Sequence, residues 1–579
     1  MTSNELREKF LNFFKKKGHR IAPSSSLIPT DPSVLFTTAG MQQFKEYYLV
    51  KPSPYGKNVV SSQKCFRTSD IEEVGDKSHL TFLEMLGNFS FGGYFKEEAI
   101  KLALEFLIAN CKLQIDNFTF TYFKGDKEVP EDVESKKIWL KLGIPENKII
   151  GMGREDNFWG PTGLEGPCGP TTEIYINGLE IWNLVFNEYY QDRNGKLTPL
   201  KQKGVDTGMG LERLAMIVQK KSSVFETDLF EPIIGELQIC RGRTSANLKA
   251  ERIIADHIKS AVFLIADGIF SSNIGRGYVL RRILRRGIRY GKILNLPRHF
   301  LIPLVQKVIE IYKDVYPEVL SKQADILTII QNEEEKFEKT LGKSLKEFKL
   351  QIAKCKLKKM SGKVVFDLYQ SYGFPLELTR ELAREDGFEI NEKEFEEEFK
   401  KHQEISRAGA EKKFGGIGIE KIKNQKSKIK ITKLHTATHL LHSALREILG
   451  KRVRQMGSDI TEERLRFDFF HPRKLTDEEL KKVEDLVNQK IKENLEVKKE
   501  EMSYEEAIKR GALAFFKEKY PERVTVYTIY NPSDPSGQVF SKEICAGPHV
   551  KRTSELGHFK IVKEESSGAG IRRIRAILI

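Results

Sequence analysis

Cysteine is scarce and scattered: Cys65, Cys111, Cys168, Cys240, Cys355 and Cys545 in 579 residues, with no CxxC pair and no dense framework. That excludes a small disulfide-stapled scaffold and suits a reducing, cytoplasmic setting. No run of 18 or more apolar residues occurs, so no membrane-spanning helix is expected. The first residues, MTSNELREKFLNFFKKKGH, read as a charged amphipathic helix without the apolar core of a secretory signal. Internal repeats and long low-complexity tracts are also missing, which excludes solenoids and arrays. Acidic charge is in deficit: 81 Asp and Glu against 96 Lys and Arg leave a net +15. The excess favours a polyanionic partner without deciding among RNA, DNA and a membrane surface.

What is present divides the chain. Residues 1 to about 235 are rich in Gly, Pro and aromatics, with short apolar runs such as IWNLVF at 181–186, and predict a mixed domain around a largely antiparallel sheet. From 236 to 410 helical periodicity dominates, as in 250–268. A lysine-rich stretch, Lys412 to Lys433, reads as a linker or an exposed strand pair, with the linker proper at 411–430. The last block, 431–579, holds a helix, a strand-like LRFDFF, a long charged helix from Thr476 and a strand-like tail from Ile571. The fold class expected is α+β, in several domains.

One motif is informative through a residue it lacks. His435-Thr-Ala-Thr-His439 places two imidazoles on one helical face, but Thr436 stands where a zinc protease carries its glutamate base. About a hundred residues later comes Cys545-Ala-Gly-Pro-His549. Three His and one Cys make a sensible tetrahedral shell for one Zn²⁺, although the first pair alone also reads as histidines packing a core helix.

Two further features concern phosphate. The string Val205-Asp206-Thr-Gly-Met-Gly-Leu-Glu-Arg213 joins a glycine-rich turn to a helix, where an arginine fork can reach a phosphate. Earlier, QKCFR and TFLEMLGNFSFGGYFK predict a hairpin. On it Arg67 could hold an α-phosphate or make a surface ion pair, and Phe89 or Phe91 could stack on a purine or fill the core. In SNIGRGYVLRRILRRGIRYGK, Arg281, Arg285, Arg289 and Lys292 share one helical face, either solvated or tracking a nucleic-acid backbone.

An arginine-bearing hairpin followed by a GxGxER turn and helix resembles motifs 2 and 3 of the class II aminoacyl-tRNA synthetases. The strings DNFWG, GPCGP, EIWNLVFNE, VDTGMGLERL, SSNIGRGYVLRRILRR and HTATHLLHSALR are similar to the alanyl-tRNA synthetase family, from about residue 5 to 579. The resemblance implies a class II antiparallel-sheet catalytic domain at 1–235, a helical acceptor-stem domain at 236–410 and a zinc-containing editing domain at 431–579. It implies ATP with Mg²⁺, alanine and tRNA(Ala) as partners, and neither membrane nor DNA. It assigns Arg67, Phe89 and Arg213 to ATP, Asp206 to the substrate ammonium, and Trp159 and Asn183 to the alanine pocket. The reaction residues are then Arg67, Asp206 and Arg213.

On the tRNA side the resemblance names Asn273, with Arg281 and Arg285, and it places Gln370 where an aspartate is usual. Thr438 and Gln455 lie near the metal motif and could orient an editing substrate. Departures from the family pattern are a missing Gly-rich ESGGQ segment, CAGPH in place of CGGTH, and no dimerising tail before Ile579. They suggest a minimised, monomeric enzyme with slower editing of seryl and glycyl errors. An editing-only deacylase and a non-catalytic RNA-binding module are the rival readings; the complete Arg67, Asp206 and Arg213 set argues against the first, and alanine-dependent pyrophosphate exchange separates both.

Overall fold

The alternation read in the first two hundred residues becomes a nine-stranded sheet. The computed structural model describes residues 1–49, 51–242, 247–355, 358–402, 425–471, 473–514, 521–534, 538–568 and 570–579. They form two units, Met1–Gly342 and Lys343–Ile579.

In the first unit the strands are β1 Arg20–Ile21, β2 Asn58–Phe66, β3 Phe82–Phe91, β4 Phe118–Phe123, β5 Ile149–Met152, β6 Phe158–Trp159, β7 Gly166–Ile176, β8 Leu179–Gln191 and β9 Leu197–Gly210. Their order is β1-β2-β3-β9-β8-β7-β4-β5, with β6 pairing β7. Only β1–β2 and β4–β5 are parallel, so the sheet is largely antiparallel as expected. QKCFR and TFLEML do form a hairpin, with Gln63 opposite Met85 and Phe66 opposite Phe82.

The two-residue period of strands gives the sheet two different faces. Trp182 on β8 packs against Phe10 and Phe14 of the helix Ser3–Lys16, with ring centroids 5.7 and 6.4 Å away. Its neighbours Ile181 and Asn183 point the other way, into a cavity, as do Asp206 and Gly208 on β9 and Leu83 and Met85 on β3. One face is therefore core and the other is the floor of a site.

The basic segment is a helix, Gly275–Ile293, but four of its six arginines are buried. Arg281, Arg285 and Arg289 are 7 %, 9 % and 3 % exposed. Arg285 pairs with Glu333 at 2.6 Å, and Arg281 Nε lies 3.6 Å from the same carboxylate. The expectation of a phosphate-tracking face is corrected for these residues. Glu333, only 2 % exposed on the helix Gln323–Lys354, needs cationic partners to be tolerated inside. Arg285→Ala would strand that carboxylate, and breaking a buried pair costs about 3–5 kcal/mol. The variant is expected to show a large drop in thermal midpoint rather than a change in the salt dependence of tRNA binding; calorimetry and a salt titration check the two.

In the second unit β10 Lys359–Met360 and β11 Glu389–Ile390 pair in parallel beside the helices Gly362–Tyr372 and Leu376–Glu385. The stretch read as a linker or strand pair is corrected in its second half. From Gln425 it is the first part of the helix Gln425–Leu449 that carries the His pair, while 411–424 lie outside the described residues. β12 Gln455–Ile460, β13 Leu465–Phe470, β17 Phe559–Gly568 and β18 Ile571–Leu578 form one sheet, ordered β12-β13-β18-β17. β14 Glu496–Ser503, β15 Arg523–Tyr530 and β16 Val539–Ile544 form another. The long charged helix begins where the sequence predicts, at Asp477, capped by Thr476 and Glu479 in a reciprocal pair. Leu440, Leu441 and Leu445 share one core with Phe467, Phe469, Val483, Val487 and Ile574. Among the described residues no helix is long and apolar enough to cross a membrane.

Candidate functional site

The open face of the first sheet floors a cavity of about 390 Å³. Its wall includes Arg67, Trp159, Asn183, Asp206 and Arg213, drawn together from four stretches of sequence. Arg67 follows β2 and donates through Nε to the Thr38 carbonyl at 3.3 Å; among the described residues it has no acidic partner. Arg213 sits in the first turn of the helix Leu211–Val218, which continues directly from β9, and its NH1 donates to the Glu180 carboxylate at 3.0 Å.

Asp206 is 5 % exposed, and no hydrogen bond or ion pair reaches its carboxylate from the described residues. Burial pushes its pKa up to about 7. A buried acid without a cation, in a cavity, is half of an ion pair whose other half a ligand can bring. Glu173 is also raised to about 7, first by burial and then by Glu180 and Asp156. Asn183 Nδ2 donates to Glu173 at 2.6 Å and the Tyr175 hydroxyl donates at 2.8 Å. Glu173 was not singled out from sequence. Its position opposite Asn183 in the β7–β8 register is the signal, and that register emerges only with the fold.

The structure corrects Phe89. It lies on the same face of β3 as Leu83 and Met85, but is 0 % exposed and does not reach the cavity. The 3₁₀ segment Gly40–Leu49 covers the sheet there, bringing Phe44 to 4.7 Å from the Phe89 ring. A Cβ on Gly40 would stand 3.1 Å from the Phe89 ring, so the covering segment fits closely because Gly40 has no side chain. Phe91, at 4 % exposed, is core as well. Asn273 and Gln370 are both exposed, and the Asn273 carbonyl oxygen accepts from Arg281.

The second unit holds a different cluster. One ligand atom each from His435, His439, Cys545 and His549 lies within 4.8 Å of the others. The helix supplies the first two; Cys545 and His549 follow β16. Cys545 Sγ is 3.3 Å from His435 Nε2. The His549 ring is fixed through Nδ1 by the Thr436 hydroxyl at 3.2 Å, while its Nε2 is buried without a hydrogen-bond partner. An orphaned imidazole nitrogen where a thiol and two more imidazoles converge fits a tetrahedral N₃S shell, and zinc is consistent with it. Burial lowers His435 to about 3 and raises Cys545 to about 11. Gly547 has no substitute here, because a Cβ would stand 1.8 Å from His435 Cε1.

Glu543 is a further residue the sequence reading missed. Its carboxylate accepts from His442 Nδ1 at 2.8 Å and lies 3.2 Å from His439 Nδ1, not aligned as a hydrogen bond. It therefore stands directly behind one candidate ligand. Its place on β16, two residues before Cys545, is a signal that could have found it. Thr438 is tied to the Leu434 carbonyl at 2.9 Å, and Gln455 to Ser458 at 3.0 Å.

Comparison with known proteins shows the family. Residues 5–446 match the family described as tRNA synthetases class II (A), and 524–575 match the threonyl and alanyl tRNA synthetase second additional domain. An alanine–tRNA ligase of Borrelia hermsii (strain HS1 / DAH) is 49 % identical over 606 residues, covering 100 % of each chain. That of Treponema pallidum (strain Nichols) is 46 % identical, covering 100 % of this chain and 98 % of its own. The alanine–tRNA ligase of Dehalococcoides mccartyi (strain ATCC BAA-2100 / JCM 16839 / KCTC 5957 / BAV1) is 37 % identical, with 80 % of its length covered. On this evidence the chain belongs to the alanine–tRNA ligase family of class II tRNA synthetases and carries that family's second additional domain.

Proposed function

We propose that the cavity activates alanine with ATP and passes it to the acceptor end of tRNA(Ala). The carrying observation is the partnerless, buried Asp206 carboxylate in one cavity with two arginines, Arg67 and Arg213. Asp206 takes the substrate ammonium, with Trp159 and Asn183 shaping the space around a small side chain. The alanine carboxylate then attacks the α-phosphorus in line, displacing pyrophosphate. Arg67 meets the charge that grows on the transferring group, and Arg213 holds the nucleotide after leaving Glu180 or sharing it. Magnesium, arriving with ATP, would be held by oxygen donors from Glu155, Asp156 and Glu180, which line the cavity, and would supply neutralisation of phosphate charge. No side-chain nucleophile is needed, because positioning and cationic stabilisation do most of the chemistry. Alanine-dependent exchange of pyrophosphate into ATP tests this, and its absence would return the chain to a deacylase or RNA-binding role.

The division of labour follows the sequence: ligation in 1–235, acceptor-stem reading in 236–410 and hydrolytic editing in 431–579. Exposed Asn273 reads the third acceptor base pair, with Gln370 as its neutral counterpart; charging of tRNA with G·U against G·C there measures the discrimination. Editing has a physical motive, since one methylene discriminates by only about 1–3 kcal/mol and glycine enters any alanine pocket. His435, His439, Cys545 and His549 would hold one zinc, which when bound supplies Lewis-acid polarisation. A monomer of 66.5 kDa in the cytoplasm is the expected form, and a stable dimer in light scattering would overturn it.

A further inference from the structure

Two arginines of the helix Gly275–Ile293, Arg282 and Arg286, find partners in one loop. Arg286 NH1 donates to the Ile71 carbonyl at 2.6 Å and to His257 Nε2 at 3.0 Å. Because arginine can only donate, His257 carries its proton on Nδ1, which donates to Asp256 at 2.8 Å. Asp256 in turn accepts from the Thr81 amide at 2.9 Å and from the Thr81 hydroxyl. Ile71 and Thr81 both belong to the connection 67–81 between β2 and β3, and they bound its segment 71–81. Asp256, His257 and Arg286 are 0 %, 1 % and 5 % exposed.

Two more side chains grip the loop between its ends. Arg282 pairs with Glu72 at 3.0 Å, and Arg252 NH1 donates to the Asp76 carbonyl at 2.9 Å. The loop region contributes Asp70, Ser78, His79 and Leu80 to the cavity wall beside Arg67. The Arg67 amide donates to the Thr81 carbonyl at 2.8 Å, so the setting of Thr81 is also the setting of Arg67.

We infer that Asp256, His257 and Arg286 are positioning residues for the nucleotide side of the activation cavity: they fix the span of the Ile71–Thr81 loop and, through Thr81, the place of Arg67. This rests on the reading of the cavity as the site of ATP chemistry. The physical case is that a buried, fully bonded polar chain has one low-energy geometry, whereas a loop held at one end has many. The charge-bearing array lies behind the loop, contributes no side chain to the cavity, and therefore acts on geometry alone.

Pyrophosphate exchange with ATP and alanine varied separately tests it, on the full chain. Thr81→Val keeps shape and removes the hydroxyl donor to Asp256; Arg286→Gln shortens the fork and removes its charge; Arg286→Lys restores one donor. Misplacement by about 1 Å can cost on the order of 100-fold. Thr81→Val and Arg286→Gln are expected to lower kcat or raise the ATP KM by roughly 10- to 100-fold while the alanine KM stays within about twofold. Arg286→Lys should recover part of the loss. Active-site titration normalises for misfolded protein, and Thr81→Val carries the test if Arg286→Gln does not fold. Wild-type ATP parameters in folded Thr81→Val overturn the inference, as does an alanine KM that rises as far as the ATP KM. A parent enzyme without alanine-dependent exchange would instead overturn the reading of the cavity.

Discussion

Asp206→Asn is expected to lower kcat/KM for alanine by roughly two to three orders of magnitude in pyrophosphate exchange, mainly through KM. The size follows from removing one member of a desolvated ion pair, about 3–5 kcal/mol, at 1.4 kcal/mol per factor of ten. The pH dependence gives a second, independent readout. Asp206 stands at about 7 in the ligand-free protein because of burial, so below that pH it is mostly neutral and cannot attract an ammonium. The alanine KM should therefore rise as pH falls through 7. Glu173 titrates in the same range, so the diagnostic is the difference in slope: the variant should lose one proton's worth of dependence. The same shift has a stability sign. A carboxyl whose folded pKa is raised binds its proton more tightly in the folded state, so its contribution to stability falls as pH rises from about 4 to about 7. Bound alanine should reverse that loss, giving a larger thermal stabilisation at pH 8 than at pH 6. An alanine KM unchanged in the variant would remove Asp206 from the substrate site.

Asn183 and Asp206 were named through the family resemblance, and their places on strands explain why the fold brings them together. Ile181, Asn183 and Val185 on β8, and Asp206 and Gly208 on β9, keep the two-residue period that puts them on one face. Periodicity identifies a face but not what covers it. Phe89 has the right face and the wrong neighbour, the segment Gly40–Leu49, which is distant in sequence. The basic helix failed for the same reason. A 3.6-residue pattern of arginines looks alike whether it meets phosphate or buried acids, and Glu333 lies 48 residues from Arg285. The metal cluster was legible because spacing and donor chemistry coincide, whereas Thr436, which holds the His549 ring, and Glu543, behind His439, carry a weaker signature, their nearness in sequence to the ligands. The lysine-rich stretch misled through composition: Lys426, Lys428 and Lys430 are exposed on a helix that is anchored further on by the core residues Ile431 and Leu434.

The other large effect is expected at the metal cluster. His435→Ala combined with Cys545→Ala should abolish zinc in elemental analysis and hydrolysis of mischarged seryl-tRNA(Ala), while leaving alanine activation at the parental rate. The reason is geometric. With His435 and Cys545 gone, only His439 and His549 remain of the four converging donors, and two imidazoles do not make a structural zinc shell. Activation should survive because the cavity floored by β3, β7, β8 and β9 is built without any of these residues. Gly547→Ala is a subtler probe of the same point. It deletes no donor, but its Cβ would overlap the His435 ring, so the ring must turn away from Cys545. It should therefore lower zinc occupancy nearly as far as losing His435 itself. Full zinc in the double variant would refute the ligand assignment. Full zinc in the parent without deacylation would leave a structural centre, with four protein donors and no open position for a hydrolytic water.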